Sequence, residues 1–513
     1  MKRIIAVVLI CVTLAGCTGY NQDTYVPTGA GLYWEEGETH PTVEQQKPED
    51  QKVTLTYYPD ITMNPYQCSD FTNRALFGLL YQSLFTVDRN YHIEPQLCTQ
   101  YRVSAEMDVY TFYIAQATFS DGAPLTAQDV AASLLEAKES PIYKGRMNHV
   151  TEITVTDDGA VQIRLDTPYE EFPLLLDIPI LKQSELKSDY PLGTGPYTLE
   201  TTTGGKCLYR RMDWWCQAET PVTAVSIALI EAESPAQIRN AFELEGSDLD
   251  LVCADPGSDR YVDFRCDYEL WDAENGILLY LGCNMVSQVF SVPEVRSALT
   301  FAVDRETLVD TYYQGFARPT TLPASPQFPY YSTKLAENYN FDAEKFTQAV
   351  NDAGVQGMPV MFLVNKDDTK RLRVARDIGK MLANCGLNIQ MKEQSGEQYK
   401  KTLENRDYDL YLGQTKLSAN MDLSPFFASG GALSYGSIND VSMYALCLQA
   451  LANHGNYYSL HKEVADDGRI CPVLLRSYAV YTTRGLLPDL APARDNIFYY
   501  SLGRTMEDAL IKE

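Results

Sequence analysis

The groups in this chain that could do chemistry are its cysteines, a handful of histidines and a large surplus of carboxylates. His40, His92, His149, His454 and His461 are the only histidines, and none stands in a His-Glu-x-x-His spacing. No Cys-x-x-Cys pair exists, so neither a zinc site nor an iron–sulfur cluster is expected, and no cofactor. A serine nucleophile would need a Gly-x-Ser-x-Gly elbow, or a Ser-x-x-Lys accompanied by the other motifs of penicillin-binding enzymes; neither is present, nor is a phosphate loop. Paired carboxylates stay open as acid and base in so acidic a chain, which leaves a secreted hydrolase as the remote alternative. The formal net charge of −26 works against polyanions, and no nucleic-acid partner is expected.

The chain opens with Met1-Lys2-Arg3, continues in an apolar run from Ile4 to Leu14 and reaches Leu14-Ala15-Gly16-Cys17 before turning polar. A basic start, a short apolar core and small residues at the cut describe a secretory signal peptide over residues 1–16, too short to span a bilayer at about 18 residues or more. Leu-Ala-Gly-Cys resembles the bacterial lipobox, which implies that Cys17 becomes lipidated and is the first mature residue. The folded body is then extracytoplasmic, in the periplasm or on the outer face, and held to the cell membrane through lipid alone. Residues 17–50, rich in Thr, Gly, Glu, Gln and Pro, read as a flexible tether.

From there on the composition is globular, and about 460 residues exceed what one hydrophobic core usually serves, so two lobes are expected. Strand-like runs at Val53–Tyr58, Val109–Tyr113, Val360–Val364 and Leu387–Met391 alternate with helical patterns, which predicts an α/β fold. Thr126 and Asp129 form a capping box that starts a helix. Further helices are expected from the apolar run Ala75–Leu84, at Pro293–Tyr313, at Ala343–Asp352, and at Thr369–Cys385, where Leu372, Ala375, Ile378, Gly379 and Leu382 share a face. Ten of the 12 cysteines remain after Cys11 and Cys17, and local bridges are expected at Cys207–Cys216 and Cys253–Cys266.

Four segments taken in order carry a resemblance. Phe119-Ser120-Asp121-Gly122-Ala123-Pro124-Leu125-Thr126-Ala127-Gln128-Asp129-Val130, then Gly193-Thr194-Gly195-Pro196-Tyr197, Val295-Arg296 through Asp304-Arg305, and Phe341-Asp342 through Ala353-Gly354 are similar to phrases of the extracellular solute-binding proteins of family 5. That is the peptide and nickel class that feeds ABC importers. Physically these motifs build scaffold: Asp121-Gly122 suits a turn of positive φ, Gly193 and Gly195 bracket a bend, and Arg296 is expected to pair with Asp304. The resemblance implies a two-lobed periplasmic-binding-protein-like fold with the ligand cleft between lobes. Residues 51–270 and 488–513 would form lobe I with an extra subdomain, and 271–487 lobe II. It also implies a monomeric, non-enzymatic protein that captures a peptide-like solute by hinge closure and delivers it to ABC permease subunits. A nickel chelate, an oligosaccharide or a transporter-independent sensor are the alternatives.

By the same resemblance the cleft wall comes from Thr62, Met63 and Asn64 after the first strand, from a loop around Tyr143 and Arg146, and from Gly413, Gln414, Thr415, Lys416 and Leu417. Tyr478 and Tyr481, where the chain crosses back toward lobe I, are the tyrosines placed near the cleft among 35. Relatives that grip a peptide's ammonium group resemble Gly-Trp-x-x-Asp-Tyr-x-Asp-Pro in the late loop. Here the Trp is absent, the expected Asp is Ala419 or Asn420, and Asp422 stands near the second acidic position.

Overall fold

The computed structural model describes residues 52–244, 248–258, 261 and 264–511. The expected signal peptide, Cys17 and the expected tether lie outside those residues. The first lobe is built on two four-stranded sheets. In one, β1 (Val53–Tyr57) runs parallel to β10 (Ser226–Glu231), which pairs antiparallel with β9 (Gly205–Arg210), and β9 forms a hairpin with β8 (Tyr197–Thr202). The other, fully antiparallel, has the order β4 (Cys98–Val103), β5 (Val109–Ile114), β7 (Val161–Leu165), β6 (Val150–Val155). A short hairpin of β2 (Phe85–Val87) and β3 (Ile93–Pro95) lies beside them. Along β5 and β7 the residues Tyr110, Phe112, Val161, Ile163 and Leu165 are buried, so the period-two pattern puts one face of that sheet into the core.

The second lobe carries a mixed sheet in the order β11 (Leu251–Ala254), β17 (Ile470–Thr482), β12 (Glu269–Cys283), β16 (Leu410–Lys416), β14 (Pro359–Asn365), β15 (Asn388–Gln394), with β13 (Ala317–Pro319) on β17. β14 is parallel to both neighbours, and the helix Thr369–Asn384 makes the crossover from β14 to β15. Its buried residues include Leu372, Ala375, Ile378, Gly379 and Leu382, and Gly379 lets the helix sit against Ile389 and Met391 of β15. The long strands β12 and β17 pair from Glu269 opposite Thr482 to Gly282 opposite Ile470. Their register breaks between Glu274 and Leu278, where Gly276 takes a φ of 70°. After β17 the chain returns to the first lobe, whose core takes in Leu487, Leu490, Ile497 and Phe498.

The capping box is present: Asp129 N donates to Thr126 Oγ1 at 3.3 Å and Thr126 N to the Asp129 carboxylate at 3.0 Å, opening the helix Ala127–Glu139. Gly122 has the positive φ, 84°, of the Asp121-Gly122 turn. Gly193 and Gly195 serve a close approach, since a Cβ at Gly195 would stand 2.5 Å from the Leu80 carbonyl carbon. That approach also explains why Ala75–Leu84 is not one helix. Two short helices, Phe71–Ala75 and Phe77–Leu80, end where Gly195 N donates to Leu80 O at 3.0 Å.

Other expectations change with the structure. Pro293–Tyr313 splits into the helix Pro293–Ala298, a 3-10 turn at Leu299–Ala302 and the helix Arg305–Tyr313. The break arises because Asp304 caps the last of these, accepting from Thr307 N at 3.1 Å, while buried Arg305 donates to Pro472 O at 2.9 Å and Thr300 O at 3.0 Å. Arg296 therefore does not pair with Asp304; it donates to Phe290 O at 3.0 Å and meets Asp467 at 3.4 Å. The ten described cysteines are free thiols, including Cys207, Cys216, Cys253 and Cys266. Cys207 and Cys253 belong to strands, where they stand in register with Glu200 and Val480.

Candidate functional site

A cavity of about 790 Å³ lies between the lobes. The first lobe supplies Phe71 and Arg74 from the helix that Asp70 caps, and Arg146 from the 3-10 turn Lys144–Met147. Its returning C-terminal segment adds Arg494, Asp495 and Ile497. From the second lobe come Thr415 and Lys416 at the end of β16, Leu417 and Ser418 beyond it, and Asp422, Pro425 and Leu433 around the short helix Ser424–Phe427. Tyr478, on the crossing strand β17, stacks on Phe71 with ring centroids 3.6 Å apart and closes the floor.

Arg146, Thr415, Lys416, Leu417 and Tyr478 thus face the cavity, and the other residues expected there do not. Asn64 is buried and donates to Leu186 O and Ser188 O, each at 2.9 Å, while Thr62 donates to Asp189 O at 3.3 Å; with buried Met63 they fasten their turn to the 186–189 loop. Tyr143 lies under Arg146, whose guanidinium sits 5.2 Å from its ring centre. Gly413 backs onto the ring of Tyr280, and the Gln414 side chain is engaged by Arg476, from which it accepts at 2.9 Å. Tyr481 packs edge-on against Phe264 and Tyr268 in a separate apolar cluster, since successive side chains of a strand point to opposite faces. Phe71, Arg74, Arg494 and Asp495 escape a sequence reading because no local pattern marks them; only the return of the chain after β17 brings Arg494 and Asp495 to the cleft.

Charge is unevenly shared. Among the described residues four cations line the cavity, Arg74, Arg146, Lys416 and Arg494, against the carboxylates Asp422 and Asp495. Asp495 bridges the lobes: it meets Arg146 at 3.2 Å and is ion-paired with Lys416. Arg146 also pairs with Asp177 behind it. Burial alone would raise the Asp495 carboxyl, but Lys416, Arg494, Arg146 and Arg74 together hold it well below the usual range. Burial lowers Lys416 to about 8, because Arg494 and Arg74 add to desolvation and Asp495 only partly offsets it. The lysine side chain is 41 % exposed, all the same, and its free surface opens on the cavity. Asp422 accepts from Ser424 N at 2.8 Å and has no cation within ion-pair distance among the described residues; burial raises its carboxyl.

The position where relatives carry an ammonium-gripping Asp is closed off. Ala419 and Asn420 are fully buried, and Asn420 donates across the lobes to Tyr169 while its carbonyl accepts from Tyr457. Among the described residues no group of three or more His, Cys, Asp or Glu suits a metal ion, and no helix is long and apolar enough to cross a membrane.

The model of the bacterial extracellular solute-binding proteins, family 5 Middle, matches residues 92–433. The glutathione-binding protein GsiB of Salmonella typhi is 24% identical over 399 residues, 72% of this chain and 76% of the relative. The ABC transporter substrate-binding protein CtaP of Listeria monocytogenes superposes with a TM-score of 0.71 at 20% identity, over 87% of this chain and 97% of its own. NikA of Brucella suis, solved with Fe(III)-EDTA, gives 0.69 at 17% identity over 87% and 98%. The architecture is therefore that of two-lobed binding proteins, and a family model spanning most of the chain leaves one conclusion: this protein belongs to family 5 of the bacterial extracellular solute-binding proteins.

Proposed function

We propose that the protein captures a short peptide-like solute by closure of its lobes and passes it to an ABC permease without chemical change. The observation that carries this reading is the 790 Å³ cavity walled by both lobes, a size suited to a small ligand held on most sides. Its lining carries both signs of charge: Asp422 is suited to an ammonium group, and Arg74 and Lys416, with Arg494 nearby, to a carboxylate, as a zwitterionic solute requires. A relative named for glutathione binding fits the same ligand class. We place the hinge along β12 and β17, near the expected division at 270/271 and 487/488, with β11 (Leu251–Ala254) of the expected first-lobe range paired to β17. Lipidation of Cys17 would keep the monomer at the membrane face where the permease sits.

A second reading, a non-peptide carboxylate such as a metal chelate, is favoured by Ala419 and Asn420 at the place of the ammonium-gripping Asp. Native mass spectrometry of the protein purified from bacteria in rich medium, followed by denaturation, separates the two. A ladder of short peptides is expected; one non-peptide species in their place overturns the peptide reading.

A further inference from the structure

We propose that the cleft selects solutes carrying at least two carboxylates, which settle on Arg74 and Lys416 beside the buried charge of Arg494 while Asp495 remains as a resident counter-ion. The inference deepens the peptide reading and rests on it for the ammonium end. Its basis is an imbalance of partners. Asp177 and Asp495 account for Arg146 and Lys416, whereas Arg74 and Arg494 have no carboxylate within ion-pair distance among the described residues. Arg74 donates to Cys68 O at 3.2 Å. Arg494 is only 5 % exposed and donates to Leu417 O; its Nε and Nη1 are buried without an acceptor near the Tyr91 ring, so it acts on the cavity through its charge.

A guanidinium that lines a cavity with no carboxylate of its own, as Arg74 does, is a partner for a planar carboxylate, and the buried charge of Arg494 adds to the attraction. The contrast with the whole chain sharpens the point: a protein of net charge −26 gathers cations at this one cleft. Such a pocket focuses anions from solution and rejects a cationic side chain at the same place.

The second consequence is a proton. Lys416 faces Asp495 and Arg494 from the C-terminal segment, Arg74 from the first-lobe helix and Tyr478 from β17, with Arg146 and Asp177 behind Asp495. Cations outnumber carboxylates around it, and its ammonium is correspondingly easy to deprotonate. An incoming carboxylate reverses that balance, so binding near pH 8 takes up a proton onto Lys416 Nζ.

Isothermal titration of the full-length protein, stripped of bound solute by refolding, tests both points with Ala-Glu-Ala, Ala-Gln-Ala, Ala-Lys-Ala, glutathione and citrate. Ala-Glu-Ala and glutathione are expected to bind at least tenfold more tightly than Ala-Gln-Ala, with Ala-Lys-Ala weaker still. At pH 8 the binding heat should change between two buffers of different ionisation enthalpy, in the sense of proton uptake. Lys416→Met removes the uptake, and either that change or Arg74→Gln shrinks the Glu-over-Gln preference; using both guards against one variant misfolding. Equal binding of the Glu and Gln peptides overturns the inference and leaves the peptide reading standing. Binding of citrate but no peptide keeps the anion subsite and removes the peptide reading. Silence from every probe overturns both.

Discussion

Lys416, at the end of a second-lobe strand, is ion-paired with Asp495, on the segment that returns to the first lobe. The pair spans the cleft, and Arg494 beside it donates to Leu417 O across the same gap. Polar contacts within the chain thus tie the two walls of the cleft together.

Removing Asp495 should loosen the contact between the lobes. In Asp495→Asn, Lys416 and Arg146 lose a shared carboxylate, at a cost on the order of 2 kcal/mol for a partly desolvated pair. Distances between spin labels on the two lobes are expected to lengthen in the ligand-free variant; an unchanged distribution would show that the pair does not hold the lobes.

His461 makes stability depend on acid. It is fully buried with neither ring nitrogen bonded, and burial lowers it to about 4. The unfolded chain takes up this proton near the ordinary pKa of about 6.5 and the folded chain only near 4. The stabilising effect is complete above the first value and disappears as pH falls through that window, about 3 kcal/mol in all. Urea titrations between pH 7 and pH 4 should show the fall, and His461→Leu should flatten it.

Two glycines separate close approach from backbone conformation. Gly195→Ala would drive a Cβ into the Leu80 backbone and should cost on the order of 3 kcal/mol. Gly122→Ala meets open space and bears only its positive φ, about 1 kcal/mol. Denaturant midpoints of the two variants test the order.

The free thiols predict that denatured, unreduced protein alkylates at all ten cysteines of the body. A mass eight alkylations heavier would restore one of the sequence-expected bridges.

Cys17→Ser should abolish incorporation of labelled palmitate and release the protein from the membrane fraction. Retention of label in the variant would remove the lipid anchor.

What the sequence made legible was local. A capping box, a turn glycine and the apolar face of Thr369–Asn384 depend on neighbours within a few residues, and each stands where the spacing puts it. Thr415, Lys416 and Leu417 were reachable because they end or directly follow a strand whose motif fixes their place. Arg74, Arg494 and Asp495 were not, because they meet only through a contact of more than 400 positions along the chain between segments with no shared pattern. Arg296 illustrates the same limit: eight residues from Asp304 in sequence, it turns instead to Asp467, which a distant helix brings alongside.

Gly276 has a meaning beyond its turn. A Cβ there would lie 2.5 Å from Arg494 Nη2, and its carbonyl accepts from Leu417 N at 2.9 Å. The register break between Glu274 and Leu278 is also the seat of the cleft's buried guanidinium. If the proposed hinge bends here, a change that stiffens it also redraws the charge the solute meets, and mobility and selectivity can only be tuned together.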